Sequence, residues 1–263
     1  MGLALPTSLS PSKVSSFRDC ALAFRYSAID RLPEPPTVPA AKGTVVHKAL
    51  ELLFGLDPDA RTLDAALALL PDAERAVLDG EEYTSLEVPD RRAFSASAAD
   101  LITRYFQLED PRVIRPVGLE LMLEAELGGV RLRGIIDRLE EDDDGGLVVT
   151  DYKTGRVPGD RYEQGKLGGV HFYAYLCETV LGRRPSRIQL LYLGQPVAIV
   201  AEPSDQSIRG LERRVSAIWT AVERACEQED FRPKPGRLCD WCSFKEHCPA
   251  FGGALLPAGQ LAS

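Results

Sequence analysis

Val14, Phe17, Ala21 and Phe24 recur at helical spacing behind Ser10-Pro11, so residues 8–25 are predicted as one helix. Four prolines (Pro33, Pro35, Pro36 and Pro39) then mark a connector with no regular pattern, read as an ordered loop. A second helix is predicted from Lys42 to Phe54, with Val46, Leu50 and Leu53 on one side. Residues 59–110 are rich in Ala and Leu and read as a helical insert broken at Pro71, Gly80 and Pro89. At Val117 the period changes. Leu119, Leu121, Leu123, Ala125 and Leu127 alternate with other residues, Gly128-Gly129 gives a two-residue hairpin signal, and Val130–Leu139 supplies the return strand. The acidic segment 140–146 is a solvated turn before a third strand, Leu147–Lys153. A helix over Gly169–Leu181, strands at Arg187–Leu193 and Val197–Val200, and a long amphipathic helix marked by Ile208, Leu211, Val215, Ile218, Val222 and Cys226 complete the pattern. Residues 252–263 read as a loose tail. The divisions expected are 1–55, N-terminal helices; 56–116, helical insert; 117–203, core; and 204–263, C-terminal helix, cysteine cluster and tail.

With 263 residues, 44% hydrophobic and 27% charged, the chain can bury a core without disulfide staples. No apolar run approaches the roughly 18–20 residues of a membrane helix. Met1–Ser16 shows no basic segment followed by an apolar one. The expected compartment is the cytoplasm, with no membrane partner. A net charge of −8 argues against a protein that coats DNA generally. It leaves room for an enzyme whose carboxylates hold cations.

Two segments carry the chemistry: Gly134-Ile-Ile-Asp137 and Asp151-Tyr-Lys153-Thr-Gly155. Residues two apart on a strand share a face, so Asp151 and Lys153 project together. Asp137, on the preceding hairpin strand, can meet Asp151 across the pair. Two carboxylates and an ammonium on one surface suit a hard divalent cation such as Mg²⁺ or Mn²⁺ and a lysine that orients water or steadies a phosphoryl charge. His47 can add an imidazole from the second helix, although taken alone a helical histidine is more often structural than a ligand. Glu120 is a further candidate for the acidic face, the alternative being a solvated side chain. Cys239, Cys242 and Cys248 form Cys-x2-Cys-x5-Cys. A tetrahedral thiolate site needs a fourth ligand, for which Cys20 is a candidate, while Cys177 and Cys226 fit apolar stripes. The spacing accepts Zn²⁺, with His247 as a ligand, or a [4Fe–4S] cluster.

The order of these motifs resembles the PD-(D/E)xK nuclease superfamily, and within it the RecB-type exonucleases, which include the AddB C-terminal nuclease and the CRISPR-adaptation exonucleases. The residues carrying the resemblance are Gly43-Thr-Val-Val-His47, Gly134-Ile-Ile-Asp137, Asp151-Tyr-Lys153-Thr-Gly155 and Phe172-Tyr-Ala174. It implies an α/β restriction-endonuclease-like core, a mixed sheet flanked by helices, with a helical insert and a C-terminal Fe–S lobe. It further implies a Mg²⁺- or Mn²⁺-dependent exonuclease acting at DNA ends, on single strands, in repair or recombination, with a helicase or repair protein as partner. His47, Asp137, Asp151 and the Tyr152 carbonyl would bind the metal, and Lys153 would be catalytic beside Asp137 and Asp151. One cysteine before the core and three after it resemble the family's iron–sulfur staple. The resemblance thereby selects a [4Fe–4S] cluster on Cys20, Cys239, Cys242 and Cys248, with Trp241 expected to shield it. Arg156, Lys166, His171 and Tyr173 are candidate DNA contacts. One position departs from the pattern. The family's Gln-x3-Tyr has Gly169 where Gln would stand ahead of Tyr173, and Gln164 lies five residues earlier. That departure keeps open a second reading, a catalytically weak DNA-end-binding or scaffold protein that retains fold and cluster.

Overall fold

A computed structural model describes residues 2–157 and 160–256, with only the helical backbone given for 160–168. The first predicted helix is two. α1 (Pro11–Asp19) is capped by Ser10, whose side chain accepts the Lys13 N–H, and ends at Cys20, which is extended at φ −161° and ψ 109°. α2 (Ala21–Phe24) starts from that same residue. Helical spacing alone cannot reveal such a corner, because it continues across it. Only α2 buries residues, Leu22 and Phe24, and a π turn over Arg25–Ile29 follows. α3 spans Val38–Phe54, so the connector ends earlier than expected: Thr37 caps the helix and Pro39 lies in its first turn, where a missing N–H costs nothing.

The predicted insert holds α4 (Leu63–Leu78) and α5 (Arg91–Tyr105). Pro71 does not break α4. It sits on the exposed side of the helix, where water can reach the backbone carbonyl it leaves unpaired. α3, α4 and α5 pack on one another through Val45, Leu50, Ala66, Phe94 and Ile102, and the same core includes Tyr152 and Leu191 of the sheet.

Five strands follow: β1 (Arg115–Leu127), β2 (Val130–Glu141), β3 (Leu147–Lys153), β4 (Arg187–Tyr192) and β5 (Val197–Ala201). They stand in the order β1-β2-β3-β4-β5, with β2–β3 and β4–β5 antiparallel and β3–β4 parallel. Gly128 and Gly129 take φ of 56° and 83°, the left-handed pair that a two-residue hairpin requires. α6 (Asp160–Leu181) is the crossover between the parallel strands β3 and β4, and begins well before the predicted Gly169. β3 is buried along almost its whole length, as expected of a central strand paired on both sides. α7 (Asp205–Gln228) closes the regular structure, with Ile208, Leu211, Val215 and Val222 buried.

The chain forms two compact units. One comprises Met1–Pro35, Glu124–Gly134 and Asp205–Ser263; in it Leu9 pairs with Leu132, giving its N–H to the Arg131 carbonyl at 2.8 Å and accepting from the Arg133 N–H at 2.9 Å. The other comprises Pro36–Leu123 and Ile135–Ser204, and contains the three-helix core and most of the sheet.

Candidate active site

His47, Glu120, Asp137, Asp151 and Lys153 all lie in the second unit, where α3 meets the end of β3. Gly43 makes that approach close: a Cβ there would stand 3.1 Å from Thr154 Oγ1. Four helical residues advance about 6 Å and two strand residues about 6.6 Å. One turn after Gly43 meets Thr154, His47 therefore meets Tyr152, two residues back along the strand. Its Nε2 lies 3.0 Å from the Tyr152 carbonyl. A carbonyl only accepts, so Nε2 carries the proton there, and Nδ1 faces Asp137 Oδ2 at 3.5 Å.

The β2–β3 ladder ends at Arg138 opposite Thr150. One residue on, Asp137 Oδ2 accepts the Tyr152 N–H at 2.7 Å, so a carboxylate stands where a backbone acceptor would continue the ladder. Glu120 comes from β1, at the N-terminal end of an alternation that runs unbroken to Leu127. Gly118 and Leu119 are both half-buried, and Glu120 is left-handed at φ 44°. Alternation along β1 sets its carboxylate on the face of Asp137, and one ligand atom each from His47, Glu120 and Asp137 lie within 4.8 Å of one another. Opposed oxygens around a small divalent cation stand about 4.2 Å apart, so this imidazole and these two carboxylates fit a hard cation in spacing and chemistry. Asp151 is outside that trio; its carboxylate is ion-paired with the Lys153 ammonium, whose side chain remains 39% exposed.

The electrostatics favour a cation as well. Burial and then Asp137 raise the Glu120 pKa against the opposing pull of His47. Burial raises Asp151, with Lys153 opposing. Burial alone would lower His47, but Asp137, Asp151 and Glu120 together hold it above its ordinary value. Burial likewise disfavours the Lys153 ammonium, and Asp151 outweighs it. Excess negative charge is thus met by held protons, which a divalent ion would displace. Tyr173 of α6 is raised by burial and then by Asp151, Asp137 and Glu120, so its ring lies in the field of the same carboxylates. Of the other expected DNA contacts, Arg156 is exposed, His171 is half-buried on α6, and the Lys166 side chain lies outside the described residues, as does that of Gln164.

Under the site lies a network that the motifs do not reveal. Arg138 has no solvent exposure, and its guanidinium meets both oxygens of Glu109 at 2.9 Å, Glu140, Thr150 Oγ1 at 3.0 Å and the Tyr152 hydroxyl at 2.8 Å. It stacks over Phe54 at 4.6 Å. Strand alternation supplied a signal: if Asp137 faces the site, Arg138 must face the core.

In the first unit Cys20, Cys239, Cys242 and Cys248 line one small cavity with Tyr26 and Phe244. Burial raises the Cys242 thiol, and the neighbouring Cys20, Cys239 and Cys248 add to the rise. Trp241 is exposed, and neither it nor His247 is among the residues that line this cavity. Cys177 and Cys226 are pushed by burial to about 12 and about 11, as inert core thiols.

Among known proteins, the gene 69 protein of Mycobacterium phage D29 is 25% identical over 92% of this chain and 96% of its own length. A subunit of the ATP-dependent helicase/nuclease of Moorella thermoacetica is 30% identical over 59% of this chain, and the match spans 11% of that longer protein. A crystal structure of a Eubacterium rectale protein assigned as an exonuclease superposes with a TM-score of 0.50 at 12% identity, covering 89% of this chain and 92% of that one, and shares the fold. The family model of the PD-(D/E)XK nuclease superfamily matches residues 8–249, and the chain belongs to that superfamily.

Proposed function

We propose that the protein is a Mg²⁺- or Mn²⁺-dependent deoxyribonuclease that hydrolyses phosphodiester bonds at DNA ends, acting on single strands in the cytoplasm during repair or recombination. The observation that carries this reading is the convergence of His47, Glu120 and Asp137 beside the Asp151–Lys153 pair. Asp137, Asp151, His47 and the Tyr152 carbonyl would hold the cation, with Glu120 added from β1. When bound, the cation supplies a lowered water pKa and a polarised phosphoryl oxygen. The protein's own groups do the rest. Asp151 keeps Lys153 protonated and aimed; Lys153, open to solvent on one side, orients the attacking water or steadies the charge gathering on phosphate oxygen. Tyr173, Arg156, His171 and Lys166 would contact the strand. Gly169 in place of the usual Gln supports the alternative of a catalytically weak scaffold, but the intact Asp137–Asp151–Lys153 trio, for which a scaffold has no use, favours the enzyme.

The cavity shared by four cysteines supports a [4Fe–4S] cluster on Cys20, Cys239, Cys242 and Cys248 with a structural role. Similarity to part of a helicase/nuclease supports a helicase as partner. End-labelled linear and circular single strands, incubated with Mn²⁺, test the activity. The linear strand should shorten and the circle persist. Lys153→Ala and Asp137→Ala should each lose about 10²–10⁴ in rate while remaining folded. Cleavage at the wild-type rate by Lys153→Ala would overturn the assignment.

A further inference from the structure

On the outward face of the β1–β2 ribbon, charged residues alternate with one apolar pair. Counting back from the two-residue turn sets Leu127 opposite Val130, and hence Met122 opposite Ile135 and Glu120 opposite Asp137. The convergence of Glu120 with Asp137 agrees with this register, as does the ion pair of Glu124 with Arg133 at 3.6 Å. Met122 and Ile135 therefore form a cross-strand couple one step from the cation-site carboxylates, on the same face, about 7 Å along the strands. They are 49% and 45% exposed, whereas Leu123 and Ile136, their neighbours on the opposite face, are 5% and 0%.

We propose that Met122 and Ile135 are a substrate-positioning shelf: the face of an unpaired nucleobase rests on them while the adjoining phosphate sits at the carboxylates. The inference rests on the nuclease reading and adds what selects the strand. With a cation held between Glu120 and Asp137, the phosphate is drawn to that point, and the uncharged surface one step along the strands is left to meet the neutral part of the nucleotide. The spacing from carboxylates to shelf is roughly the reach from a phosphate to its own base. The pair carries no donor or acceptor and does not read sequence. In the interior of a duplex both faces of a base are covered by stacking, so the shelf accepts an unpaired nucleotide and gains nothing from a base inside a duplex.

Binding and cleavage are read separately. With Ca²⁺ in place of Mn²⁺, fluorescence anisotropy compares a labelled thymidine strand with a fully abasic strand of equal length, which keeps every phosphate. Wild-type protein should bind the intact strand about tenfold tighter. M122S/I135T should lose that preference and bind both strands as wild type binds the abasic one. I135T alone keeps β-branching at an exposed position and should show an intermediate loss should the double variant unfold early. Equal binding of both strands by wild type, or an undiminished preference in the variants, would overturn the shelf. Wild type that prefers the intact strand yet leaves it uncut in Mn²⁺ would sink the nuclease reading and keep the shelf.

Discussion

Glu120 concentrates the residue-scale argument. Its left-handed backbone costs about 1 kcal/mol in a residue with a Cβ, and its carboxylate lies in the field of Asp137. Both penalties would be recovered when a cation binds. Glu120→Gly removes them, so without cation it should melt no lower than wild type, while Glu120→Ala keeps the strain and should melt lower than the glycine variant. Both should bind Mn²⁺ more weakly in calorimetric titration; wild-type affinity in either would remove Glu120 from the ligand set. The same crowding fixes a pH trend. Glu120 and Asp151 have raised pKa values, so in the absence of cation the folded state holds extra protons, and stability falls as pH climbs through them. His47, also raised, stabilises below its unfolded pKa and loses that contribution as pH rises through the folded one. All three act in one direction, so the rise in melting temperature on adding Mn²⁺ should grow between about pH 5 and about pH 8. A shift that shrinks over that range would contradict the charge arrangement.

At the scale of elements, function depends on how closely α3 lies on β3. Gly43→Ala gains helix propensity of about 1 kcal/mol but presses a methyl group against Thr154 Oγ1, 3.1 Å from the new carbon. Stability should change little, because the two effects oppose. Cleavage should fall more than stability does, because His47 is carried off the Tyr152 carbonyl. Unchanged turnover in Gly43→Ala would show that the helix has slack. Arg138 fixes the other side of β3. Replacing it with Met leaves Glu109 and Glu140 facing the interior without their guanidinium, a loss of about 3–5 kcal/mol for a broken buried pair. Urea unfolding should reach its midpoint well below that of wild type, and an unshifted midpoint would mean that water reaches these carboxylates.

For the whole molecule, the two sites fall in different compact units: the carboxylates in the one built on α3 and β3, the four cysteines in the one holding both ends of the described chain. Cys20 and Cys239 are more than 200 residues apart, so a shared cluster would close a very long loop and restrict the unfolded chain. Protein purified without air should be brown. Cys20→Ser should lose iron and become protease-sensitive near both ends, whereas Cys177→Ser, a change at a buried thiol raised to about 12, should keep its iron. Full iron content in Cys20→Ser would exclude the staple.

Local regularities were legible in the chain. Alternation over residues 119–127, the Gly128-Gly129 turn and the apolar stripe of α7 each depend on neighbours a few positions apart, and the structure follows them. Asp137, Asp151 and Lys153 were legible for the same reason, because a strand's period decides which side chains share a face. The corner at Cys20, the unbroken α4 across Pro71 and the partners of the inward Arg138 were not. Each is settled by surroundings that local spacing does not show: a cavity lined by thiols from the C-terminal segment, solvent on one side of a helix, and Glu109 in the segment after α5. Short-range periodicity specifies which elements form, but the energy of a buried charge is offset only by groups that tertiary packing brings within reach.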